Sequence, residues 1–138
     1  QQLQASGAEI QTAVGTNVRQ ILTDLEGVTG DPARGDQLYH SASRSFNGTT
    51  LACNGCHMPD GPGTGPQTSG TMTRINNERL QDPALANYTA RQYLVESIVQ
   101  PGTYIVPNFQ NVMIANFGEN LSLQDLADLI AYLETQTQ

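Results

Sequence analysis

Apolar residues recur along this chain at the three- and four-residue spacings of helices, and no segment shows the sustained alternation of a strand. Near the N-terminus, Ile10, Val14, Val18, Ile21, Leu22 and Leu25 mark one helical face, interrupted by Gly15. Gly27, Gly30 and Pro32 then end the pattern. Residues 1–30 therefore read as a partly helical N-terminal extension, either a tether or a strap packed on the domain that follows. In that domain, residues 31–138, Asp31 is suited to cap a helix and Pro32 to occupy its first position. Thr89-Ala-Arg-Gln92 has the form of a capping box, followed by an apolar face of Leu94, Val95, Ile98 and Val99 that Pro101 and Gly102 bring to an end. The last helix is the clearest. Ser122 caps it, Asp125 sits at the positive end of its dipole, and Leu123, Leu126, Ile130 and Leu133 form a stripe widened by Leu129 and Tyr132. From Phe46 to about Ile75 the periodicity disappears. "PDGPGTGPQTSG" holds three prolines and four glycines, so the whole stretch reads as loop. A loop that long in a compact domain is usually organised by something else.

The expected architecture is all-α, several helices joined by long loops, and the length of 138 residues suits one domain burying roughly two thirds of its unfolded surface. The chain has no tryptophan and only 6% aromatic residues, which leaves room for an apolar cofactor as core material. Its net charge of −7 would repel phosphate backbones and argues against nucleic acid as a partner. A basic docking surface on another protein suits it better. No apolar run approaches the roughly 18 residues of a membrane-spanning helix. The chain does not open on methionine, so a removed signal or a missing N-terminal membrane anchor is compatible with it.

The two cysteines change the picture most. Cys53-Asn-Gly-Cys56-His57 matches the C-x-x-C-H signature of covalent c-type haem. Two thiols at this spacing add across the two vinyl groups of one porphyrin edge, and the adjacent imidazole is held under the iron. A structural disulfide would close too small a loop to constrain much of the chain. A zinc site would need four nitrogen or sulfur ligands, and beyond the motif only His40 remains. A thioredoxin-like dithiol would follow a strand inside a βαβ unit, and no such pattern is present. The expectation is one haem c, bound through Cys53 and Cys56, with His57 as its proximal ligand.

Met58, Met72, Met113 and His40 are the candidates for the sixth position. Met58 adjoins the proximal ligand, Met72 ends the glycine-rich loop, and His40 belongs to a predicted helix. Met113 lies in the irregular segment "VPNFQNVMIANFGENLS" before the last helix, where a loop can fold over the far face of the haem. It is the expected ligand. Arg74, Arg91 and Tyr104 are candidate partners for the haem carboxylates.

"CNGCH", then "GTGP", then "VPNFQNVMIANFGENLSLQDLADLIAYL" resemble a class I, monohaem bacterial cytochrome c, from about Asp31 to Thr135. The layout is also similar to the cytochrome c subunits or domains of respiratory complexes such as alternative complex III and haem-copper oxidases. The resemblance implies the class I cytochrome c fold, helices and long loops wrapped around one covalent haem, with the N- and C-terminal helices of the domain crossing nearly at right angles. Gly35 and Tyr39 would face Leu129 and Tyr132 at that crossing. It further implies that Pro66 offers its carbonyl to His57 Nδ1–H, and that Met113 is the methionine ligand. The chain departs from the mitochondrial pattern in its acidic charge, its lack of any lysine and its first thirty residues.

With both axial positions filled, the protein is expected to move single electrons in a respiratory or photosynthetic chain, and not to act as an enzyme. Its donor would be a quinol-oxidising complex and its acceptor an oxidase or another cytochrome. The alternative is a haem with a labile sixth ligand, acting as a peroxidase or gas sensor. Covalent haem attachment takes place outside the cytoplasm in this family, implying a periplasmic location or the outer face of a membrane.

Overall fold

Six α-helices carry the fold in the computed structural model, which describes residues 12–55, 57, 58, 63, 65–111, 113 and 116–137. They are α1 (Val18–Leu25), α2 (Pro32–Tyr39), α3 (Thr71–Asn77), α4 (Ala90–Val99), α5 (Phe117–Asn120) and α6 (Leu123–Leu133). Single 3-10 turns at Cys53–Gly55, Arg79–Gln81 and Pro83–Leu85 punctuate the long connections. The described residues contain no strand, so the domain is all-α. None of their helices is long and apolar enough to cross a membrane.

α1 is shorter than the apolar spacing predicts. It starts only after Asn17, whose side chain accepts from Gln20 N–H. Gly15, at φ 75°, turns the chain just before it. Upstream of that turn the backbone is extended: Val14 N–H bonds Leu121 O at 2.9 Å and Gly15 N–H bonds Gly118 O at 2.8 Å. Val14 thus joins the domain through its backbone, and Ile10 lies outside the described residues. Ile21 and Leu25, each 2% exposed, belong to the same core as the helices that follow, and α1 packs on α4 and α6. From residue 12 onward the N-terminal segment packs on the helices that follow.

The most extensive packing in the fold is α2 against α6, which Gly35 makes possible. A Cβ built there would lie 1.9 Å from Asp128 O and 2.8 Å from Tyr132 Cβ, so only hydrogen fits at the crossing. One turn on, the Tyr39 ring lies 5.3 Å from that of Tyr132. Both helices are capped as their sequences indicate. Asp31 accepts from Ala33 N–H, and Ser122 and Asp125 complete a reciprocal capping box.

Beside the crossing, Arg34 bridges Asp125 at 2.7 Å and Asp128 at 2.8 Å, both carboxylates being 1% exposed. Further donors complete their shells: Phe46 and Ser122 N–H to Asp125, and Asp31 N–H with the Gln124 side-chain amide to Asp128. Burial alone would lower the Arg34 guanidinium; its bonds to Asp128 and Asp125 outweigh that and push it up.

α3 interrupts the stretch whose composition reads as loop from Phe46 to Ile75. Its Thr- and Asn-rich sequence has weak helical propensity, and its N-cap is Gly70 in the left-handed region at φ 78°, without a side-chain cap. Ile75, 2% exposed, anchors it by packing. In α4, Thr89 accepts from Gln92 N–H, and the expected face of Leu94, Val95, Ile98 and Val99 is buried.

Candidate functional site

The helices do not close on one another completely. Between them lies a mostly apolar cavity of about 220 Å³, walled by α2, α3, α4, α6 and loop residues within 51–53, 65–67 and 101–111, with His57 and Met113. Leu51, Ile75, Leu94, Ile98, Leu129 and Leu133 supply much of its surface.

Cys53 and His57 enter it from one short stretch, where Cys53–Gly55 forms a 3-10 turn and His57 N–H bonds Cys53 O at 3.0 Å. Cys56 lies outside the described residues. The His57 Nδ1 is 2.8 Å from Pro66 O. A carbonyl carries no proton, so Nδ1 must be the protonated nitrogen, leaving the lone pair on Nε2 free for a metal. The bond also fixes the orientation of the ring. Gly65 packs flat against it: a Cβ there would stand 2.6 Å from His57 Cε1. The proline-and-glycine stretch thus serves the imidazole twice, once as acceptor and once by leaving it room.

The four residues weighed for the sixth position separate cleanly. Met113 lines the cavity with His57, whereas Met58, Met72 and His40 do not. Met58 is 49% exposed. Met72 packs at the edge of the core. His40 is exposed at the end of α2, where its Nδ1–H meets the Asp36 backbone oxygen at 2.9 Å and the Asp36 carboxylate at 2.7 Å.

Of the other residues singled out in the sequence, Pro66, Arg74 and Tyr104 line the cavity and Arg91 does not. Arg91 forms a surface ion pair with Glu134 at 3.0 Å. Arg74 donates to Ser69 O at 2.8 Å and also to Gln67 O. Its guanidinium is lowered, first by burial and then by the charge of Arg79. Arg79 lines the same cavity, with its side chain only 12% exposed and paired to Glu78 at 3.1 Å. Two cations at one apolar cavity favour an anionic group between them. Nothing in the local sequence marks Arg79, because it reaches the cavity from an irregular 3-10 turn. Tyr104 donates to Asp82 at 2.9 Å, and burial followed by this bond pushes its hydroxyl up to about 12. Asp82 is lowered in turn by Ala84 N–H and by Tyr104.

The residues present fit a haem: an apolar cavity, an imidazole with a free Nε2, a thioether, a cysteine beside the histidine, and arginines suited to carboxylates. A family model described as Cytochrome c matches residues 32–137. No curated protein and no solved structure compared with the chain matches it.

Proposed function

Because the chain belongs to the cytochrome c family, whose members bind c-type haem covalently and transfer electrons, we propose that it is a class I, monohaem carrier. Cys53 and Cys56 would hold the haem through two thioethers, and His57 and Met113 would ligate its iron. The observation that carries this reading is that, among the four candidate sixth ligands, Met113 alone shares the cavity with His57. When bound, the haem supplies a one-electron couple at its iron.

His57, held by Pro66, presents Nε2 in a fixed orientation and keeps its proton on Nδ1. Met113 contributes a neutral thioether, which favours the ferrous state over what a second imidazole would give. The apolar wall excludes water and disfavours the extra positive charge of the ferric form, so a relatively high potential is expected. Arg74 and Arg79 would offset the haem carboxylates, while Tyr104 gives its proton to Asp82. With both axial positions filled, oxygen and peroxide have no open site. The donor is a quinol-oxidising complex and the acceptor an oxidase or another cytochrome. The acidic surface suits basic partners, and the site of work is the periplasm or the outer face of a membrane.

Visible spectra of the matured protein and of Met113→Ala test this. The substitution is expected to abolish the weak near-infrared sulfur-to-iron band and convert the iron to high spin. An unchanged low-spin spectrum would exclude Met113. A high-spin wild type that binds carbon monoxide rapidly would favour the peroxidase or gas-sensor alternative.

A second outcome concerns Gly65. Gly65→Ala places a methyl group within 3 Å of three ring atoms of His57. The ring cannot move away without stretching its bond to Pro66 O. Gly65→Ala is expected to shift the reduction potential and lower haem retention by about tenfold, read from redox titration and haem content.

A further inference from the structure

Two hydroxyl groups are buried behind the histidine. Tyr39 is 5% exposed and Thr68 is 4% exposed, and their oxygens lie 2.7 Å apart. Thr68 Oγ1 is also 2.6 Å from the backbone oxygen of His57. A carbonyl only accepts, so Thr68 gives its single proton to His57 O. The proton between the two hydroxyls must then come from Tyr39. The direction of the chain is thereby settled: Tyr39 O–H to Thr68 Oγ1, Thr68 O–H to His57 O. Burial pushes the Tyr39 hydroxyl well above the usual tyrosine range, which keeps it a donor.

Satisfying two buried hydroxyls requires only one bond between them, and an apolar pair of similar size would need none. Here the remaining proton is directed at the histidine. Thr68 also bonds through its backbone, Thr68 N–H to Met58 O at 2.8 Å. The segment that begins at His57 and ends at Thr68 is therefore tied at its two ends by side chain and backbone together. Pro66, the acceptor for the ring, lies two residues before that tie. Tyr39 stands on α2 at its crossing with α6, so the tie is fastened to the most extensively packed part of the fold.

We propose that Thr68, anchored by Tyr39, is a positioning residue for His57, holding Pro66 beside it so that the Pro66 carbonyl stays on the ring Nδ1–H. This rests on His57 being the proximal ligand. Thr68→Val removes the bond to His57 O and leaves Tyr39 without its acceptor. Tyr39→Phe removes only the anchor, and Thr68→Ser keeps both bonds.

The test uses the matured haem protein and reads two quantities by NMR and redox titration: the exchange rate of the His57 Nδ1 proton and the reduction potential. In Thr68→Val the proton is expected to exchange roughly tenfold faster, and the potential to rise because a less basic imidazole stabilises ferric iron less. Tyr39→Phe moves both in the same direction by a smaller amount, and Thr68→Ser restores wild-type values. A lowered melting temperature in Thr68→Val with exchange and potential unchanged would show packing alone and overturn the proposal. Should Thr68→Val not fold, Tyr39→Phe decides by the same two readouts. A matured wild type without covalent haem, or without low-spin histidine ligation, would instead overturn the functional reading beneath it.

Discussion

Gly35→Ala is expected to destabilise the matured protein by about 3 kcal/mol or more, at the upper end of overpacking effects. Alanine improves helix propensity by about 1 kcal/mol over glycine, so the sign depends on the space available. There is none: the new methyl carbon would stand 1.9 Å from the Asp128 carbonyl oxygen. The obstacle is backbone, which no rotamer change can remove. Relief requires α2 and α6 to separate, and these helices bring Tyr39, Leu129 and Leu133 to the cavity. The same substitution should therefore perturb the haem spectrum as well as the denaturation midpoint. Gly27→Ala is the control, since Gly27 is exposed and its nearest neighbour would be 3.9 Å away. Equal midpoints for Gly35→Ala and wild type would mean that the crossing is looser than the geometry indicates.

Arg34→Met is expected to cost about 3–5 kcal/mol, the range for removing one partner of a buried ion pair. Arg34 itself is partly exposed, but its two carboxylates are not. Without it, two negative charges remain close together in the core, with backbone N–H groups as their main support. Arg34→Lys should recover only part of the loss, because a single ammonium lacks the planar fork that reaches both aspartates. Adding Asp125→Asn and Asp128→Asn to Arg34→Met should regain much of the stability by removing the stranded charge. Denaturant midpoints decide the matter. A loss below about 1 kcal/mol for Arg34→Met would place the bridge with ordinary surface pairs.

The features legible in the sequence are those set by local chemistry. The cap at Ser122, the stripe from Leu126 to Leu133 and the Asp31-Pro32 start each depend on residues within a few positions of one another, and the folded chain shows them there. The Cys53–His57 motif is local in the same sense. Only the second half of the N-terminal apolar face forms a described helix, α1, because Val14 serves a backbone pairing with Leu121 that is remote in sequence. α3 has a sequence poor in helix signals and forms because Ile75 has a core to enter. Arg34 gives no sign of its two carboxylate partners, which stand more than ninety positions away. Arg79 and Thr68 are equally silent, since their roles arise from where loops bring them. The sequence thus marked His57, Pro66, Arg74 and Met113, which line the cavity, and was silent on Arg79 and Thr68.

The crossing of α2 with α6 also imposes an order of assembly. Asp31 meets Asp128 across 97 positions of chain, so this contact cannot form until residue 128 has been made. By then the thiol-bearing stretch has already been made. A polypeptide cut short before residue 123 would lack Leu129 and Leu133, the α6 part of the wall around the cavity that Cys53 and His57 enter.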